Sequence, residues 1–474
     1  MSKRMIALLL AGLLAATAMT GCKGSESSPG SNDSAGGTSG SDLDDGVPEM
    51  NLNGYEFVIA DAYHYEQPNM EPGSSDLTDA VLERNKIIED RFNCKITYQY
   101  YEPTGFYNEV YPILMSGEKL ADIMIPTLFN YGKFAVADYL GDLGELPYLK
   151  LDEEYWIDLY NDAAVSPDGK RLGASSYMAN PYQYCFGLYF NKRLISELNL
   201  QNPYDLLAEG KWNWENFGQL LDNAMKDVDN NAVFDGKDIY SITGGLDGGI
   251  TAFFMANGQH MFKVEDNLVK YAMTDEGVIP TLTTLKDMFS APGCYYYGGG
   301  DSQLCTQMFM DGQVTFFMNL MSRGDRLRDM KDDYGFLPIP MGPNVDQFYS
   351  PIDHNTPIIC VPSTGIDNPE ATGAILQAMA CASYKEKDIW EEEVAGLYYR
   401  DDESFANLTE HVLPSMTFDP LFMYSRLAQE FEMYTITAVF KPIARDPAAD
   451  AATIINEGKE VVQTMIDELI NKTA

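Results

Sequence analysis

Basic residues are scarce in this 474-residue sequence: 32 Lys and Arg stand against 71 Asp and Glu, for a formal charge of −39. A polyanionic surface repels phosphate backbones, which excludes nucleic acid as a partner and suits solubility outside a cell. Histidine is rarer still. His64, His260, His354 and His411 are the four, and no two stand at a metal-ligand spacing. No GxSxG, P-loop, HExxH or Rossmann glycine pattern occurs, so no familiar catalytic frame is present. The carboxylates are too many for counting to exclude a glycosidase pair, and nothing singles one pair out. Seven cysteines form no CxxC or CxxH, which disfavours zinc. Cys294 and Cys305 lie eleven apart across a Gly-rich loop, a spacing that permits a disulfide in an oxidising setting, while Cys185, Cys360 and Cys381 sit in apolar runs and read as buried thiols. Beyond residues 5–18 there is no long apolar run, so no second membrane segment is expected, and no internal repeat is visible.

What is present begins with a leader. Lys3-Arg4, the short apolar run and Met19-Thr20-Gly21-Cys22 read as a secretory signal over 1–22. Its end resembles a bacterial lipoprotein cleavage box with Cys22 as the lipidated residue, Met19 replacing the more usual Leu. Acyl chains there would anchor the protein to a membrane. Residues 23–50 are Ser/Gly/Asp-rich with almost nothing to bury and read as a flexible tether. The remainder, with 45% apolar and 12% aromatic residues in the whole chain, is long enough for two or three cores. From 55 onward strands alternate with helices: strand 55–61, helix 77–92, strand 95–101, helix 106–117, strand 121–125. That order predicts a doubly wound, mainly parallel α/β sheet. Asn368-Pro369-Glu370 is a clean helix start.

The chain is organised around residues 184–245. An apolar strand at 185–190 runs into Asn191 and a helix at 192–198, then a Pro203 turn. Asn213 caps a helix whose Trp214, Phe217, Leu220, Leu221, Ala224 and Met225 share one face, and the acidic loop 227–238 leads into a strand at 239–243. The pieces YFNK-x-L, W-x-W-x-x-F, an Asp-rich loop and D-x-Y, in this order, resemble the second-lobe core of the maltose-binding-like extracellular solute-binding proteins that serve ABC importers. The resemblance covers about residue 55 to the C-terminus. It implies a two-lobed periplasmic-binding-protein type II fold, with the first lobe over 51–176 plus 313–352 and the second over 177–312 plus 353–474. The return at 313–352 resembles the family's F-x-x-G-x-x-A-F and G-x-x-P-x-P, with Thr315 in place of Ala. It further implies a non-enzymatic, lipid-anchored receptor on the outer face of the cell membrane, with a carbohydrate ligand, an oligosaccharide first, and importer permease subunits as partners. A peptide receptor, a secreted carbohydrate-active hydrolase and a surface adhesin are the alternatives.

Ligands in open α/β sheets bind outside the carboxyl ends of strands. That rule nominates Tyr63, His64 and Tyr65 after the first strand, Phe129 and Asn130 after the third, Gly245 and Asp247 after 239–243, and Asn319 after 314–318. Crossing segments add Tyr177, Tyr182, Asp353 and His354; Trp390, in a polar helix, joins them. Aromatic faces pack on sugar rings while Asn and Asp bond hydroxyls. Trp212 and Trp214, at a helix start, read as core. Asp227, Asp229, Asn231, Asp235 and Asp238 reproduce positions 1, 3, 5, 9 and 12 of a calcium loop, but Ala232 stands where the sharp turn wants Gly and Asp238 where Glu is usual, so a structural calcium site and a solvated acidic loop are the two readings.

Overall fold

The computed structural model describes residues 44–62, 71–160, 162–244, 248–364 and 366–473. Strand β1 (Tyr55–Asp61), helix α1 (Asp76–Phe92), strand β2 (Cys94–Tyr100), helix α2 (Phe106–Ser116), strand β3 (Ile123–Ile125) and helix α3 (Leu128–Val136) build the first lobe. The three strands are parallel in the order β2-β1-β3, with Phe57 opposite Ile96 and Ile59 opposite Ile123. Local chemistry explains the helix ends. The Ser75 side chain accepts from Thr78 N, and Asn93 closes α1 in the left-handed region, where Asn is tolerated. Leu77, Val81, Ile88 and Phe92 bury one face of α1.

The second lobe carries a five-stranded sheet. Its parts are β4 (Phe186–Asn191), α4 (Lys192–Glu197), α5 (Pro203–Ala208), α6 (Trp214–Leu221), β5 (Tyr240–Gly244), β6 (Tyr295–Tyr296), β7 (Val314–Leu320) and β8 (Tyr334–Leu337). The order is β6-β5-β7-β4-β8, parallel from β6 to β7 and antiparallel at β4. Asn191 caps α4 and Asn213 caps α6, each accepting an N–H three residues on. The Pro203 turn proves to be a short helix, because Asn202 accepts from Tyr204 N and proline fits the first helical position. Trp212 is fully buried and donates to Pro338 O at 2.8 Å, and Trp214 packs in the same core, as expected for that motif.

Three expectations are corrected. Residues 313–352 do not return to the first lobe: β7 and β8 pair with β4 and β5 in the second sheet. The first lobe instead receives 357–362, where Met124 bridges Cys360 and Ala174 bridges Ile359, followed by α7 (Pro369–Ala382), capped by Asn368 and packed on α1 and β1. An apolar strand satisfies either sheet; pairing register decides. The end of the expected tether, 44–50, is docked: Asp45 is buried and takes a 2.6 Å bond from Arg91, and Val47 enters the first-lobe core. Cys294 and Cys305 are free thiols, both buried, donating toward the carbonyls of Met288 and Tyr297 instead of pairing. Cys185 and Cys360 are buried and Cys381 is half-buried. No described helix is long and apolar enough to cross a membrane.

Candidate functional site

Three chain segments run side by side between the lobes. The first, 177–185, contains two short 3-10 turns separated by Asn180 at φ 42°, and ends where Cys185 bridges Ile352. The second, Ser350–Pro351 onward, pairs with the third, Met416–Thr417. Asp353 N donates to Tyr184 O and Ile352 N to Thr417 O, each at 3.0 Å. The carboxyl end of β3 is tied to the second crossing, since Leu128 N donates to Thr356 O and Phe129 N to His354 O, both at 2.9 Å.

Two aromatic groups flank these crossings. Tyr177 lies 5.5 Å from Tyr182, which stacks on Trp390 at 5.4 Å and 30°, and Tyr384 meets Tyr177 edge-on at 5.4 Å. Trp390 belongs to α8 (Tyr384–Leu397). It is not presented by a polar helix face as expected but buried to 5% exposure, because α8 packs on α1. Tyr182 is nearly as buried (6%), and burial, with the neighbouring Tyr177 hydroxyl, pushes its phenol far upward, so it stays a protonated donor. Tyr177 is half-buried and Tyr384 is exposed, so these two rings give the group its accessible surface. In the second group Phe129, also half-buried, has the His354 ring at 5.3 Å and the Arg426 guanidinium at 3.9 Å from its centroid.

The polar nominees divide. Asn319 ends β7 at 3% exposure; its Oδ1 accepts from Leu320 N, and its Nδ2 has no partner among the described residues. Asn180 Oδ1, on the first crossing, is likewise buried and without a partner among the described residues. Two such groups are polar capacity that a fold normally satisfies. Asn130 is consumed by the fold: its amide donates to Pro103 O at 3.0 Å and lies 3.3 Å from Thr127 Oγ1, and this packing role replaces the expected ligand contact. Asp353 accepts from Asn355 N at 2.8 Å and faces His354 Nδ1 at 3.6 Å. Tyr63, His64, Tyr65, Gly245, Asp247 and Cys22 lie outside the described residues. Sequence reasoning missed Asn180, between two short turns, and Arg426, on a turn, as well as Lys133 and Phe422, on helices, the Phe422 ring lying 6.3 Å from that of His354. Their placement depends on the lobe arrangement, so no local pattern marks them. Grooves of about 620 Å³ beside α6 and about 580 Å³ beside the 166–172 turn contain none of the crossing residues.

In the acidic loop, Asp227, Asp229 and Asp238 bring carboxylate oxygens within 4.8 Å of one another, with Asp238 fully buried. Asp227 accepts from Asn231 N and Ala232 N, and Asp238 from Val228 N and Asp235 N. Ala232 takes φ 64°, the left-handed turn that glycine usually supplies. Asp235 stands outside the three-carboxylate group and accepts from Lys237 N. Oxygen donors around one point suit a hard cation.

Residues 74–379 match the family described as bacterial extracellular solute-binding protein. The chain belongs to that family. Membership makes it a solute-binding protein rather than an enzyme. No curated protein matches the sequence. Among solved structures, the cyclic alpha-maltosyl-1,6-maltose binding protein of Arthrobacter globiformis is similar at TM-score 0.61 and 13% identity, over 88% of this chain and all of that one. An ABC substrate-binding protein of Listeria monocytogenes, solved with cycloalternan, is similar at 0.56 and 14%, over 88% and 98%. UgpB of Mycobacterium tuberculosis, in complex with glycerophosphocholine, is similar at 0.56 and 14%, again over 88% and 98%. These likenesses establish the two-lobed type II fold.

Proposed function

We propose that this solute-binding protein is the receptor of an ABC importer and takes a carbohydrate, an oligosaccharide first, between its lobes. The observation that carries the reading is the concentration of half-buried rings and unsatisfied amides at the crossings: Tyr177 and Phe129 beside Asn180, Asn319, Asp353 and His354. Sugar rings offer apolar faces to the former and hydroxyls to the latter. Tyr182 and Trp390 support Tyr177 from behind rather than meeting ligand over their whole faces. Tyr63, His64, Tyr65, Gly245 and Asp247 complete the set from both lobes. The similar structures, one a cyclic alpha-maltosyl-1,6-maltose binding protein and one in complex with cycloalternan, favour this ligand class. Each aromatic contact is worth about 1 kcal/mol beyond its area, so several contacts less ordering costs give roughly micromolar affinity, about −8 kcal/mol.

Closure bends the three crossing strands, whose few hydrogen bonds absorb the rotation. Cys22 carries the lipid that holds the receptor on the outer face of the membrane, where permease subunits collect the ligand. The acidic loop, with Asp227, Asp229 and Asp238 as its carboxylate donors, holds a calcium ion that braces the entry to β5 and takes no part in ligand binding. Calorimetry against a panel of glycans and oligopeptides tests the ligand class. One-to-one glycan binding with the glycan recovered intact, together with a smaller radius of gyration by scattering, is the expected result. Peptide binding without glycan binding overturns it, and glycan consumption points to a hydrolase.

A further inference from the structure

The charge around Phe129 runs against the rest of the molecule. In a chain of 71 acidic and 32 basic residues, the Phe129 ring in the first turn of α3 is met by two nitrogen bases, and a third stands on the same helix. Arg426 lies 3.9 Å over its face and the His354 ring tilts against it at 5.3 Å. Lys133, one helical turn beyond Phe129 on α3, reaches over the neighbouring Tyr107 ring at 4.5 Å. The acidic groups nearby do not neutralise this set. Glu432 approaches Arg426 only to 3.9 Å with both side chains more than 40% exposed, and Asp353, 3.6 Å from His354, spends its other oxygen on Asn355. No carboxylate pairs with Lys133 among the described residues; its charged neighbour is Arg426, and burial together with that like charge lowers its ammonium pKa. Neutral hydroxyls need acceptors as well as donors, whereas this corner offers mainly fixed donors and positive charge. The first-turn N–H groups of α3 are already spent on Thr356 and His354 carbonyls, so an anion here would be held by side chains and not by the helix end.

Building on the carbohydrate reading above, we propose that the ligand carries an oxyanion substituent, a carboxylate or a phosphoryl group, bound beside Phe129 by Arg426 and Lys133. The planar guanidinium, already braced on the ring, offers a bidentate face, and Lys133 supplies a second charge-assisted bond. The ring holds the cation without neutralising it.

Calorimetry on the full chain with matched pairs tests this. One pair sets a neutral oligosaccharide against the same chain with one hexose oxidised to the uronate; the other sets a sugar phosphate against its parent sugar. The charged member of one pair should bind about tenfold more tightly or better, by an advantage that shrinks as salt rises. The pair that shows it distinguishes carboxylate from phosphoryl. Arg426→Gln and Lys133→Gln should each cut the charged-to-neutral ratio, and Arg426→Lys should retain part of it; because the Arg426 side chain is solvent-facing, melting curves of the two Arg426 variants should match the parent. Equal or tighter binding of the neutral members overturns the proposal while leaving the carbohydrate reading standing. If no member of either pair binds, the carbohydrate reading falls and this inference with it.

Discussion

At the residue scale, what separates a structural polar group from an available one is where its hydrogen bonds go. Asn130 and Asn319 both follow a strand end and are indistinguishable by residue type, yet Asn130 spends its amide on the Pro103 carbonyl while the amide nitrogen of Asn319 meets no partner among the described residues. The buried pair Arg84–Glu386 shows the same logic with charge. One guanidinium nitrogen meets both carboxylate oxygens at 2.8 and 3.0 Å, and each side chain is 3% exposed. Arg84 also holds Asn85 and the Tyr98 hydroxyl, so the pair bolts α8 to α1 behind Trp390. Glu386→Gln leaves a buried guanidinium without its counter-charge and should cost about 3–5 kcal/mol in denaturant unfolding, whereas replacing both partners by apolar residues of similar volume should cost much less. A small loss in the single variant would show that water reaches the pair.

At the element scale, caps and loops carry the testable chemistry. Asp401 caps the helix Asp402–Asn407, accepts from Ser404 N and the Tyr204 hydroxyl, and pairs with Lys192. Burial pushes its carboxyl upward, but Lys192 and the Ser404 bonds outweigh it and hold the value below the ordinary 3.8. A depressed carboxyl contributes stability that is complete above its unfolded value and disappears as pH falls through its folded one. Melting temperature should therefore drop as pH is lowered past about 4, and Asp401→Asn should lower the plateau while flattening that acid limb; an unchanged limb would mean other carboxyls set it. The acidic loop makes a separate forecast. With calcium bound, a chelator should lower the melting temperature, added calcium should restore it, and Asp229→Ala should remove the response. Indifference to chelator would leave the loop as a self-bonded turn.

At the scale of the whole molecule, the two lobes are stitched by a chain that crosses repeatedly, and the proposed anchor makes a test of its own. Because Gly21-Cys22 closes a short apolar run and precedes a polar stretch, Cys22→Ala should abolish labelling by a radioactive fatty acid and release the protein from membranes. Persistent labelling would refute the anchor. The crossings also explain the exchange of segments between lobes. Val314–Leu320 is apolar nearly throughout and would satisfy either sheet, and only its pairing with β4 and β5 places it in the second.

What the sequence determined by itself was whatever its own neighbours enforce. The caps at Asn191, Asn213 and Asn368, the buried Trp212 and the strand–helix alternation of the first lobe rest on bonds and periodicities within a few residues. The ordered motifs around 184–245 extended that reading to the family, since they specify one lobe's core. Tertiary structure alone decided which lobe owns 313–382, that Trp390 is stacked inside against Tyr182, and that Arg426 lies over Phe129. Those outcomes depend on contacts between residues tens to hundreds of positions apart, where an apolar run or an isolated cation fits several environments and only closure of the whole fold selects one.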